Sequence, residues 1–395
     1  MSVLVTLIII GFVSNYVGKL FEKIKLPSLI GMMIFGMIVG PSFLDIISDD
    51  VLNISPTIKD ISLVTVLFIG GLGISLEQMK KIGKPAVLLS VVPATLEGFA
   101  IAILSMIFLD FTFVQGAILG FIIAAVSPAV LIPSMVSLID KKIGQDKAIP
   151  QLLLVGASAD DTVAITLFTT FLGIYMSEGE VSFLSSIISI PITILFSIGV
   201  SILIFKLTKT IILKVKNNFL KVFIAFFTIL SMRFIEKNLH ISIFNSLFSV
   251  MVYGFLIRNY LVDSSKFILD KMNYIWKYGK LYLFTFVGMA IDPKLVGKYF
   301  FIGLIILIIS LSVRSLGVLI SLRNTNLNNK EKLFCIIAYL PKATVQSAKS
   351  SVPLQMGVVG GEIMQAIAIF SVLLTAPIGS ILIKLTSKRL LKTED

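Results

Sequence analysis

One cysteine (Cys335), one histidine (His240) and one tryptophan (Trp276) occur in 395 residues. That scarcity excludes a disulfide framework and a Cys/His metal centre. Cys335 and His240 read as incidental. Charge is scarce too: Asp, Glu, Lys and Arg make up 14% of the chain, against about 25% in soluble domains. The N-terminus lacks a basic leader and a small-residue cleavage pattern. It is apolar from Val3 and reads as a first span, not a removable signal. The formal charge of +12 would suggest nucleic acid in a soluble protein. Here the lysines cluster between apolar runs, so they read as topology signals, and no nucleic-acid partner is expected.

Apolar residues make up 56% of the chain, and mean hydropathy is +1.01. Apolar runs of about 20 residues recur along the whole length, the length needed to cross a bilayer as helix. The runs are continuous rather than alternating, which favours helices over a barrel. The expected fold is an all-α polytopic membrane protein of about 13 transmembrane helices. The spans fall at about 2–22, 26–44, 58–76, 85–108, 114–139, 150–176, 183–207, 219–236, 241–257, 279–292, 299–322, 331–350 and 361–385. A basic stretch from Arg258 to Lys280, holding Trp276, reads as an interfacial helix.

Lysine and arginine bias sets orientation. With the N-terminus outside and the C-terminus cytoplasmic, about 26 of the 34 basic residues fall inside and about 6 outside. The remaining two, Arg314 and Lys342, lie within spans. Spans one to six and eight to thirteen form two halves around span seven, inverted relative to each other. The fifth member of each is interrupted, at Ser127-Pro128-Ala129 and at Pro341-Lys342-Ala343-Thr344, and Pro133 follows the first break. Broken helices at corresponding positions of inverted halves point to a transporter's binding site.

The most expensive feature is Gly156-Ala157-Ser158-Ala159-Asp160-Asp161-Thr162, inside the apolar run from Leu152 to Met176. A carboxylate in the hydrocarbon region costs on the order of 2.5–3.5 kcal/mol on insertion scales, so it survives where it meets an ion, a cavity or a partner charge. A hard cation such as Na+ takes oxygen ligands. Asp160 and Asp161 supply the charge; the alternative, as open as the first for Asp160 alone, is that they pair with Arg314 or Lys342. Ser127, Thr344 and Ser158, which lies three residues before Asp161 on nearly the same face, are the neutral candidates. Adjacent carboxylates resist ionising together, which suits a site that holds either a proton or a cation. Arg314 is permanently charged, and Glu97 in the fourth span is its natural partner, as a structural ion pair. Lys342 either offsets a helix end at the second break or faces the cytoplasmic funnel. An intramembrane aspartyl protease is excluded: its aspartates come from two helices, whereas these are adjacent, about 100° apart on one. No enzyme is expected, and no selectivity-filter loop is visible.

Ala157-Ser158-Ala159-Asp160-Asp161-Thr162-Val163-Ala164-Ile165-Thr166 resembles the aspartate-pair motif of the cation:proton antiporter superfamily, second branch. Ala125 to Val130, Leu340 to Gln346 and Leu374 to Ser380 are similar to motifs of its NHA-type members, exchanger subfamily B. The resemblance covers nearly the whole chain. It implies a six-helix core with two crossing discontinuous helices beside a dimerisation domain. Residues 1–57 and 183–292 would be mainly scaffold, and 58–176 and 299–385 mainly ion-transporting core. It further implies a homodimer in the cell membrane with elevator-like displacement of the core. Asp161 would be the main Na+- and H+-binding carboxylate and Asp160 accessory. Glu97 and Arg314 match a buried acid–arginine pair of this subfamily. Electrogenic relatives carry lysine at the Arg314 position, so electroneutral exchange of Na+ or Li+ for H+ is expected, without a cofactor. The alternatives are a sodium-coupled solute symporter of the same fold, or a K+/H+ antiporter.

Overall fold

The computed structural model describes residues 2–24, 26–176, 183–239 and 243–393. His240 lies outside them. The described residues form seventeen helices: α1 Val3–Lys23, α2 Ser28–Val39, α3 Asp49–Leu72, α4 Leu76–Phe108, α5 Phe113–Ile123, α6 Pro128–Asp140, α7 Ile149–Met176, α8 Phe183–Lys214, α9 Asn218–Leu239, α10 Ser246–Tyr260, α11 Val262–Met289, α12 Pro293–Lys298, α13 Phe300–Ser321, α14 Asn329–Ala338, α15 Thr344–Lys349, α16 Val352–Gln355 and α17 Gly361–Leu390. No strand occurs among the described residues; an isolated bridge joins Ile143 to Thr393. The fifth span is the pair α5 and α6. The twelfth is α14 and α15.

Two groups of helices emerge from the packing. α4 packs against α5, α7 and α13, while α17 packs against α14. α3 packs against α10 and α11, and α2 against α11 and α1. Small residues permit the closest approaches. Where α2 crosses α11, a Cβ on Gly36 would strike the Thr285 carbonyl, and one on Gly288 would strike the carbonyl of Met33. At a backbone-to-backbone contact of this kind only glycine fits, as at small-residue interfaces generally in membranes.

The structure corrects the sequence reading in three places. The basic stretch with Trp276 and the tenth span form one helix, α11. Its 28 residues extend about 42 Å, enough to cross a bilayer. Lysines and tyrosines dilute its hydropathy all along, but Ile268, Met272, Trp276 and Leu283 form a buried face. Trp276 is therefore a buried residue, not an interfacial anchor. The third span starts earlier, at Asp49, because Asp49 and Asp50 occupy the first turn of α3, where the helix dipole favours acids. The eighth span also carries a cation beyond the two that the sequence reading places within spans. Arg233 of α9 bonds Asp60 of α3 at 3.0 Å and pairs with Glu236. Lys237 also bonds Asp60. The contacts to Asp60 tie α3 to α9.

Candidate ion-binding site

The interruptions of the fifth and twelfth spans follow from proline. Pro128 takes the first position of α6 and Pro341 lies between α14 and α15. Neither can donate the N–H that would continue a helix. Pro133 sits inside α6, one turn beyond the break, and leaves that helix continuous. The two breaks cross: the Ser127 N–H donates to the Pro341 carbonyl at 2.8 Å. Four half-helix ends therefore converge deep in the protein. The C-terminal ends of α5 and α14 carry partial negative charge; the N-terminal ends of α6 and α15 carry partial positive charge.

Cations and donors occupy the negative ends. Arg314 on α13 donates from Nε to the Tyr339 carbonyl at 2.8 Å, at the end of α14. Its Nη1 donates to the Ala124 carbonyl, at the end of α5. Lys342 Nζ reaches the same Ala124 carbonyl at 3.2 Å. Gln346 Nε2 donates to the carbonyls of Ile122, Ile123 and Ala125 at 3.2, 3.0 and 2.8 Å. Of the two places open to Lys342, the structure shows the helix end: the side chain is fully buried. Tyr339 adds a ring beneath the Arg314 guanidinium, 5.3 Å from its centroid. The Tyr339 hydroxyl lies against Gly156 of α7, where a Cβ would collide with it.

The acids meet these cations. Arg314 Nη1 bonds Glu97 Oε2 at 2.7 Å, and Lys342 Nζ bonds the same oxygen at 2.6 Å. Arg314 Nη2 reaches Asp160 Oδ2 at 3.2 Å. Asp160 Oδ2 also accepts the Val126 N–H at 2.9 Å, at the start of α6. The Glu97–Arg314 contact thus belongs to a four-residue cluster, not an isolated pair. Two carboxylates, Glu97 and Asp160, face two cations, Arg314 and Lys342, all buried. Their formal charges sum to zero.

Asp161 stands outside that cluster. It is buried, and its Oδ1 makes no hydrogen bond within the protein. The same holds for Ser127 Oγ and Thr344 Oγ1. These two hydroxyls flank the crossed breaks, Ser127 at the cap of α6 and Thr344 at the first residue of α15. One turn beyond Asp161, Ala164 packs with Ala125 and Val345, which holds α7 against both breaks. Ser158 donates back to the Leu154 carbonyl at 2.9 Å, leaving its oxygen lone pairs as acceptors. Asp161, Ser127, Ser158 and Thr344 carry oxygen donors, the ligand type a hard cation takes.

Three residues of this surround were not singled out for a role. Gln346 caps α5, and Thr375 Oγ1 accepts the Lys342 N–H at 2.9 Å. Asn245 caps α10, accepting the Phe248 N–H at 2.9 Å, while its Nδ2 donates to Thr162 Oγ1 at 3.0 Å. Gln346 and Thr375 lie inside motifs visible in the sequence. Asn245 carries no signal beyond preceding an apolar run.

The family model described as "Sodium/hydrogen exchanger, transmembrane" matches residues 4–389. Sodium/hydrogen exchanger 9B2 of Mus musculus is 31% identical over 425 residues, covering 98% of this chain and 74% of its own. The Homo sapiens protein of that name is 31% identical over 414 residues, covering 98% and 75%. Sodium/hydrogen exchanger 9B1 of Mus musculus is 29% identical over 412 residues, covering 98% and 71%. The fold is that of the sodium proton antiporter MjNhaP1 from Methanocaldococcus jannaschii at pH 8, with a TM-score of 0.80 at 20% identity over 98% of each chain. With crossed half-helices, a buried acid–base cluster and a match over almost its full length, the chain belongs to the sodium/hydrogen exchanger family.

Proposed function

We propose that this protein exchanges Na+ or Li+ for H+ across the cell membrane, with Asp161 holding either the cation or the proton. The observation that carries this reading is the charge balance at the crossed breaks. Glu97 and Asp160 are compensated by Arg314 and Lys342. One oxygen of each of the three acids is unbonded, but among the described residues Asp161 alone of the three forms no ion pair. A Na+ ion would take Asp161 together with hydroxyls from Ser127, Ser158 and Thr344. A proton on Asp161 removes the charge that holds the cation, so the two compete for one site. Asp160 supports the site by fixing the start of α6. Because Arg314 keeps its charge, it releases no second proton on cation binding, and we read the exchange as electroneutral.

The moving unit in this reading is the core of α4 to α7 and α13 to α17, displaced against a scaffold in an elevator-like motion. α3, grouped with the core on sequence, has its buried face on α10 and α11, and we place it in the scaffold. The scaffold would also carry the homodimer contact. Basic-residue bias puts the N-terminus outside and the C-terminus in the cytoplasm.

The test is proton flux in proteoliposomes driven by Na+, Li+ or K+ gradients, with the membrane potential clamped or free. Na+ or Li+ should move protons at a rate insensitive to the clamp. Asp161→Asn should abolish that flux while the protein stays folded, since the change is isosteric. Exchange retained in this variant would sink the assignment. Flux driven by K+ alone would make it a K+/H+ antiporter, and cation uptake without proton movement would point to symport.

A further inference from the structure

A cleft of about 780 Å³ opens between α1, α2 and α11 on one side and α6 and α17 on the other. It sits where the C-terminal ends of α1, α6 and α17 meet the start of α2, on the face assigned to the cytoplasm. Four lysines line it: Lys141, Lys280, Lys384 and Lys388. None forms an ion pair among the described residues, and Glu22 is the lone carboxylate in the lining. Hydroxyls of Ser28, Ser134 and Ser387 lie among the lysines, while Met32, Trp276 and Phe284 give the same cleft apolar walls. Cations and hydroxyls beside an apolar wall are the chemistry of a phosphate headgroup with an acyl chain beneath it. Basic pockets between membrane helices on the cytoplasmic side recognise anionic lipids in this way.

We propose that this cleft binds the phosphate headgroup of an anionic phospholipid from the cytoplasmic leaflet. The charge argues for an anion rather than for the transported cation: four lysines in the lining against Glu22, with Asp140 beside Lys141, leave the cleft net positive. The apolar walls argue for an amphiphile rather than a free anion. Lys280 belongs to α11, whereas Lys141, Lys384 and Lys388 follow α6 or belong to α17. A bound headgroup therefore bridges the two walls. The inference does not depend on which ion is transported.

Native mass spectrometry of the full chain, released from bilayer nanodiscs of phosphatidylcholine with or without phosphatidylglycerol, tests it. The unaltered protein should retain phosphatidylglycerol. A variant carrying Lys141→Gln, Lys280→Gln, Lys384→Gln and Lys388→Gln should lose it, by about fivefold for each lysine removed. A control carrying Lys206→Gln, Lys209→Gln, Lys214→Gln and Lys216→Gln has the same net charge and should retain it. Equal loss in both variants would show a diffuse surface effect and overturn the proposal, as would retention in the cleft variant. Inorganic phosphate at millimolar concentration should leave the lipid bound; full displacement would identify a soluble-anion site instead. Should the fourfold cleft variant fail to fold, Lys280→Gln alone carries the same comparison against Lys206→Gln.

Discussion

Arg314 decides more than any other side chain outside the proposed ion ligands. It is fully buried and touches both freed helix ends and two acids. Removing one partner of a buried ion pair costs about 3–5 kcal/mol because a charge is left uncompensated. The cluster geometry says which charge that is. Glu97 keeps Lys342 at 2.6 Å when Arg314 is lost, whereas Asp160 keeps the Val126 N–H alone. Arg314→Ala should therefore lower thermal stability sharply, and adding Asp160→Asn should recover more of it than adding Glu97→Gln. A thermal-shift comparison of the three variants checks this; greater recovery with Glu97→Gln would mean that Glu97 is the acid Arg314 serves. Gly156 makes a simpler point. Gly156→Ala would drive a methyl into the Tyr339 hydroxyl, and it should cost stability through the forced shift of α7 from α14.

At the level of elements, the broken helices work because three of the four freed ends, those of α5, α14 and α6, find a partner of opposite sign. A helix end buried without partners is costly. Here the carbonyls of α5 meet Arg314, Lys342 and Gln346, and the start of α6 meets Asp160. The link between α10 and α7 is slighter. Asn245 caps α10 and also bonds Thr162, beside Asp161. Asn245→Ala removes both functions, with a cap loss of about 1 kcal/mol. Thr162→Val removes the inter-helix bond alone. If α7 slides past α10 during transport, Thr162→Val should change the exchange rate while leaving stability nearly intact. Rates unchanged in liposomes, with Asn245→Ala reducing only the melting temperature, would leave Asn245 as a cap and nothing more.

For the whole molecule, the elevator reading makes the cleft between α2 and α6 change width during each cycle. Ser28 of α2 and Ser134 of α6 line opposite walls of that cleft. In a Cys335→Ser background, Ser28→Cys with Ser134→Cys bridged by a bismaleimide should arrest exchange, and each single cysteine treated alike should not. Full exchange in the bridged protein would mean that these walls do not move apart, and the division into core and scaffold would fail.

The sequence by itself determined the class, the two breaks and the carboxylates. Apolar length, basic bias and proline in a span act locally, through the cost of burying charge and of losing a backbone donor, so they are legible residue by residue. The Glu97–Arg314 contact was legible too, because a buried permanent charge demands an acid. What only the tertiary structure decided was how the charges are shared. Asp160 and Asp161 are neighbours in the chain, yet the crossing of Ser127 and Pro341 places one against Arg314 and leaves the other without a partner. Lys342 bonds an acid 245 residues away, and Asn245 meets Thr162 across 83 residues. Pairings of that kind depend on which faces meet, and helix periodicity alone carries no record of the partner. The same reason hid α11, where dispersed lysines masked a buried face that exists only because α2 and α3 cover it.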